Sequence, residues 1–165
     1  KKKLKMTKLE IKDELKETEG RPEVRAQIRR KQREMSMGRM MDAVADADVI
    51  ITNPEHFSVA LVYDPSQDSA PTVVAKGGDL IALAIRERGD DANVPLFSSP
   101  LLARALYFTT EVNQPVPESL YYAVAQVIAY VFSLSTFEAG GQGIKKPIPE
   151  IPNDLRFDSN GNLQS

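Results

Sequence analysis

The sequence predicts an α/β fold: a small mixed four-stranded sheet surrounded by helices, with a long basic N-terminal helical linker and a disordered C-terminal tail. Three observations carry this expectation. Short β-branched or alternating apolar runs are interleaved with helical-period stretches between Asp48 and Leu134, the charge divides near residue 41, and Gly and Pro cluster beyond Phe137. Residues 1–41 hold 14 Lys or Arg against 7 Asp or Glu, whereas residues 42–165 hold 7 against 16, so the net charge of -2 joins a basic arm to an acidic body. A chain of 165 residues supports one core of ordinary size. The expected domain plan is a basic helical linker over 1–45, a compact domain over 46–137 and a flexible tail over 138–165.

Taken in order, Leu4, Leu9, Ile11 and Leu15 recur at helical spacing and predict a first amphipathic helix stopping near Gly20. Pro22 suits the first turn of a second helix, because its missing N–H has no partner there in any case. That helix is expected to run to about Ala45, with Val24, Ile28, Met35, Met40, Met41 and Val44 as its apolar face. Val49-Ile50-Ile51 has the β-branched character of a strand covered on both faces. Phe57 to Tyr63 reads as a second strand, Asp64-Pro65-Ser66 as a turn, and Thr72 to Ala75 as a third strand leading to Gly77-Gly78. Asp79 reads as the N-cap of a helix from Leu80 to about Arg88. Val94 to Phe97 is a fourth strand, Ser99-Pro100 opens a helix to about Phe108, and a last helix begins near Pro117 and carries the apolar run Leu120–Leu134. That run contains Gln126 and is shorter than the ~20 residues a bilayer span needs, so it reads as a core helix. The Pro- and Gly-containing end buries too little apolar surface to order itself.

Composition removes several chemistries. The chain has no cysteine and one histidine, His56, which excludes disulfides, thiolate nucleophiles and histidine- or cysteine-based zinc centres. It lacks a G-x-S-x-G elbow, a phosphate-binding GxxxxGK[ST] loop and an H-E-x-x-H pair, so no cofactor and no metal are expected. The basic arm has the composition of a nucleic-acid or anionic-membrane binder, and equally that of a solvated charged helix. The opening Lys1-Lys2-Lys3 without a methionine reads as a piece cut from something longer. A lysine cluster of this kind is what the positive-inside rule places just cytoplasmic of a transmembrane segment.

One dipeptide is singled out by its covalent chemistry. After most asparagines the next backbone nitrogen attacks the side-chain amide, but at Asn53-Pro54 that nitrogen carries no proton and the route is closed. The Asn53 side-chain nitrogen retains the alternative of attacking its own backbone carbonyl, closing a five-membered succinimide and expelling Pro54 as a new amino terminus. A residue before proline is driven out of the α region, which favours the required approach. His56, whose side-chain type titrates nearest neutrality, stands two residues away to protonate the departing nitrogen, and nearby backbone amides can serve the oxyanion. Asn-Pro is also an ordinary turn dipeptide, and spacing alone leaves both readings open.

The stretch from Asp48 to Leu61, DVIITNPEHFSVAL, resembles the signature of the flagellar FlhB and virulence YscU/SpaS export-switch family. The resemblance continues in order through Ala70-Pro71, Val73-Val74-Ala75-Lys76-Gly77, Ile85-Arg86-Glu87, Asn93-Val94-Pro95, Pro100 to Tyr107, and Leu120 to Ala125, and is nearest to the flagellar branch. It implies a cytoplasmic domain of a type III export apparatus, at the cytoplasmic face of the bacterial inner membrane, following a transmembrane domain. It further implies one autocatalytic cut after the asparagine of an N-P-T-H motif, a single-turnover event and not an enzyme activity, with both pieces staying associated. On this resemblance Asn53 is the cyclising nucleophile, Pro54 the leaving group and His56 the assisting polar residue. The cut domain is then expected to help switch export from rod and hook to filament subunits. Its implied partners are other export-gate proteins, a secreted hook-length ruler protein, and export substrates with their chaperones, not nucleic acid. A shallow apolar docking site for export substrates maps to Ala70, Pro71, Ala125 and Ile128, which from the residues alone are equally core or rim positions.

The chain departs from the family pattern at Glu55, where the family has threonine. A carboxylate in the turn can pair with a charged imidazole, repel the oxyanion or act as a base toward the amide, effects of opposite sign. The expectation is retained but slower cleavage, because nucleophile and leaving group are untouched. The alternative is a non-cleaving substrate-docking platform disabled by Glu55.

Overall fold

A computed structural model describes the backbone of residues 8–54, 56–138 and 144–164, and side chains over 21–54, 56–135 and 144–164. The chain divides into two compact units, Lys1–Arg39 and Met40–Ser165. Helix α1 spans Lys8–Val44 without the expected break, and Pro22 lies inside it. Proline deletes one hydrogen bond, but the Lys, Glu, Arg and Gln on both sides of it are strong helix formers, and they carry the helix through. Val24, Ile28 and Met35, expected on an apolar core face, are exposed. No described helix is long and apolar enough to cross a membrane.

In the second unit the sheet has five strands, not four, in the order β4-β1-β2-β3-β5. These are β1 (Val49–Asn53), β2 (Phe57–Val62), β3 (Thr72–Gly78), β4 (Leu96–Ser98) and β5 (Gln114–Pro115). Strand β1 pairs antiparallel with β2 and parallel with β4, and β3 pairs antiparallel with both β2 and β5, so the sheet is mixed as expected. The fifth strand escapes the sequence because two residues, one a proline, carry no alternation. It is held by Asn113 N–H on the Val73 carbonyl at 2.6 Å and Val116 N–H on the Pro71 carbonyl at 2.9 Å.

Helices cover both faces: α2 (Asp79–Asp91) on one, α3 (Pro100–Thr109) and α4 (Tyr121–Glu138) on the other. The period of two sorts the core along β1 and β2, and a register shift in the β2/β3 pairing between Ala60 and Leu61 sends Val73 and Ala75, two apart on β3, to opposite sides. Val49, Ile51, Val59, Leu61 and Val73 point toward Leu102, Leu106, Val124, Val127 and Val131, whereas Ile50, Ala60 and Ala75 point toward Ile85, Val94 and the last turn of α1 at Val44. All five residues of β1 are buried, as a strand with both faces covered requires. Gly89 lets α2 approach closely, since a Cβ there would lie 2.2 Å from Ile50 Cδ1.

The expectation of a disordered tail fails over residues 144–164. Ile151 is 2% exposed and belongs to the α3/α4 core, and the Phe157 ring packs against Phe108 at 5.4 Å. Arg104 Nε donates to the Phe157 carbonyl at 2.5 Å, and Phe157 and Leu163 form a short antiparallel bridge. Composition misleads here because the segment needs no core of its own: a few apolar side chains dock on one already built. Gly140-Gly141, part of the same expectation, lies outside the described residues.

Candidate functional site

Strands β1 and β2 form a hairpin whose last cross-strand pair is Asn53 with Phe57, and the connection between them is the Asn-Pro segment. His56 N–H donates to the Asn53 carbonyl oxygen at 2.9 Å, a bond from the first to the fourth residue with proline second, as in a β-turn. Pro54 and His56 are exposed, while Asn53 is only 6% exposed because β1 carries it into the sheet. Glu55 lies outside the described residues.

Two features of Asn53 are chemical. Its side-chain Nδ2 is buried and has no hydrogen-bond partner, alone in this among the buried side-chain polar atoms of the described residues. A buried donor left unpaired costs about 1–3 kcal/mol and is uncommon in native structures. Its backbone carbonyl has the opposite condition, since the His56 amide already sits on the oxygen that would become an oxyanion if the carbonyl carbon were attacked. The free nucleophilic atom and the polarised carbonyl therefore belong to one residue.

Neighbouring elements fix the turn. Ser99 N–H donates to the Thr52 carbonyl at 2.9 Å, and Asp79 N–H donates to the His56 carbonyl at 2.9 Å. Phe57 is buried at its base, with its ring 4.3 Å from Tyr107 and 5.4 Å from Phe108. His56 opens onto a cleft of about 500 Å³ that it shares with Asp79, Ile81 and, from the C-terminal segment, Ser159 and Asn160.

The other expected residues gather at the opposite end of β3. Ala70, Pro71, Ala125 and Ile128 line one apolar cavity of about 600 Å³. Pro71 precedes β3 and Ala125 and Ile128 lie one turn apart on α4, so strand entry and helix face meet there. Sequence reasoning missed Tyr63, Pro65, Tyr121, Ala129 and Phe132 in the same lining. The i, i+4 spacing of Tyr121, Ala125 and Ala129 on one helical stripe is the signal that was available. The rim loop is pinned by Asp64, whose Oδ1 accepts the Ser66 N–H at 2.9 Å and hydroxyl at 2.6 Å. Those bonds hold the Asp64 carboxyl below the usual carboxylate range.

The fold and these two sites define a class: an α/β domain with a buried asparagine before an exposed proline at one end of its sheet and an apolar groove at the other. The chain belongs to the FlhB/HrpN/YscU/SpaS family, whose model matches residues 1–131. It is 51% identical over 160 residues to the flagellar biosynthetic protein FlhB of Salmonella typhimurium, covering 94% of this chain and 41% of that protein. To FlhB of Bacillus subtilis it is 47% identical over 131 residues, covering 79% and 36%. The chain thus spans about two fifths of the length of the relatives it matches. The crystal structure of the cytoplasmic domain of FlhB from Shewanella putrefaciens is similar with a TM-score of 0.69 at 47% identity, covering 73% of this chain and 95% of that one. A mutated EscU C-terminal domain is similar with a TM-score of 0.53 at 28% identity, covering 55% and 91%.

Proposed function

We propose that this chain is the self-cleaving cytoplasmic domain of a flagellar type III export apparatus, joined to the bacterial inner membrane through a further domain, and that it helps switch export from rod and hook to filament substrates. The observation that carries the reading is the unpartnered, buried Nδ2 of Asn53 beside a carbonyl already hydrogen-bonded by His56 N–H. Names and identities of the relatives support the flagellar assignment.

The Nδ2 lone pair forms a bond to the Asn53 carbonyl carbon, charge builds on the carbonyl oxygen under the His56 N–H, and collapse breaks the Asn53–Pro54 bond. The proton lost by Nδ2 goes to the Pro54 nitrogen, with the His56 imidazole as its carrier, and Pro54 leaves as a neutral secondary amine. Residues 1–53 end in a succinimide that water later opens. Nothing is regenerated, so the event happens once and the protein is not an enzyme in the turnover sense.

Glu55 slows this reaction relative to threonine without abolishing it, since neither reacting group is replaced. The apolar cavity around Ala70, Pro71, Ala125 and Ile128 serves as a docking groove for export substrates, and the docking-platform alternative keeps this role alone. The ruler protein and other gate components are further partners. A denaturing gel tests the reading: the parent chain yields pieces 1–53 and 54–165, and Asn53→Ala stays whole. A parent that stays whole as well leaves only the docking platform.

A further inference from the structure

The far side of the reactive turn is held by the corner between β3 and α2, and the backbone there is unusual. Asp79 has φ 51°, one of three positive values at non-glycine residues among those described, with Asn93 and Asn113. The two asparagines follow a helix end and open a tight strand connection, where left-handed residues are common. Asp79 instead stands at a helix start, where the preceding residue Gly78 is extended at φ -111° and no side-chain cap bond is made. The N-cap role expected for Asp79 is therefore not the one it plays. A helix start has no need of a left-handed residue. The Asp79 N–H continues the β2/β3 ladder past the Phe57/Gly78 pair onto the His56 carbonyl, 2.9 Å away, and the left-handed φ turns the chain into α2 directly after that bond.

His56 is thereby fixed at both backbone ends. Its N–H is on the Asn53 oxygen at 2.9 Å, and its carbonyl is under the Asp79 N–H. We propose that Asp79 is a positioning residue for self-cleavage: its left-handed backbone lets the chain enter α2 without giving up the last ladder bond to the His56 carbonyl, which keeps the oxyanion donor on the scissile carbonyl. The inference rests on the self-cleavage reading. It concerns backbone conformation and not the carboxylate, which is exposed. Asparagine and glycine tolerate φ above zero, whereas a β-branched residue does so only under strain.

The test is a cell-free pulse-chase of the whole chain, read on a denaturing gel, with thermal midpoints measured separately in an Asn53→Ala background. Asp79→Asn and Asp79→Gly should cleave within about twofold of the parent, and Asp79→Val about tenfold or more slower. A residue that only stabilised the fold would shift the midpoint and leave this ordering of rates absent. If Asp79→Val loses its thermal transition, Asp79→Ala replaces it with the same direction expected. Cleavage of the folded valine or alanine variant at the parent rate overturns the inference while leaving self-cleavage intact. An uncut parent removes both.

Discussion

The two ends of β3 are built on different principles. Gly78 closes the strand beside the Asn-Pro turn, and Thr72 opens it beside the apolar groove, roughly 20 Å away at about 3.3 Å per residue. At the turn, the proposed chemistry belongs to Asn53, Pro54 and His56, near neighbours in the chain that the sheet orients. At the groove, no residue is reactive, and the site exists only because Ala70-Pro71 and the Ala125/Ile128 stripe of α4, more than fifty positions apart, are folded together. On the proposed reading, bond-breaking is local and docking is tertiary, so the two should be separable by mutation.

The largest effect expected is at the turn: Asn53→Ala abolishes cleavage by removing the nucleophile, and a gel that still shows two pieces breaks the comparison at its reactive end. A second test addresses the body between the two ends. Ile151→Ala removes a buried branched side chain contributed by the C-terminal segment and should destabilise the domain by about 2–5 kcal/mol in urea titration. A change under about 0.5 kcal/mol would mean that the segment is not part of the core. At the groove, Ala125→Glu puts a carboxylate into an apolar lining, so an export-substrate peptide followed by fluorescence anisotropy should bind about tenfold more weakly. Its cleavage rate should equal that of the parent, and coupled losses would contradict the separation. The smallest effect is at Glu55, where Glu55→Thr should cleave a few-fold faster in the same gel assay.

Legibility in the sequence follows the same division. Asn53, Pro54 and His56 stand out in the sequence because the proposed chemistry depends on neighbours in the chain, and β1 was readable because Val49-Ile50-Ile51 is apolar on both faces. The paired state of β5 was not, because Gln114-Pro115 is a strand only through the partners that Pro71 and Val73 supply. The helix was expected to break at Gly20-Pro22, yet local propensity on both sides outweighs one lost hydrogen bond. The tail misled most. Its low apolar content is real, but Ile151 and Phe157 borrow a core made by α3 and α4. Asp79 misled in a subtler way: aspartate before a helix signals a cap, whereas here its tolerance of positive φ is what the corner uses.

Cleavage should leave the domain assembled, because β1 stays hydrogen-bonded between β4 and β2 after the bond beyond Asn53 is broken. Under native conditions the two pieces should therefore elute as one species and separate only in denaturant. The most direct test of the central claim is intact-mass spectrometry of the freshly synthesised, denatured chain over time. Cyclisation at Asn53 predicts two masses, residues 54–165 with proline at the amino terminus and residues 1–53 first one water lighter than the free acid, as a succinimide requires. A chain that stays at full mass would contradict it, as would a 1–53 piece that never passes through the dehydrated form and also appears from Asn53→Ala.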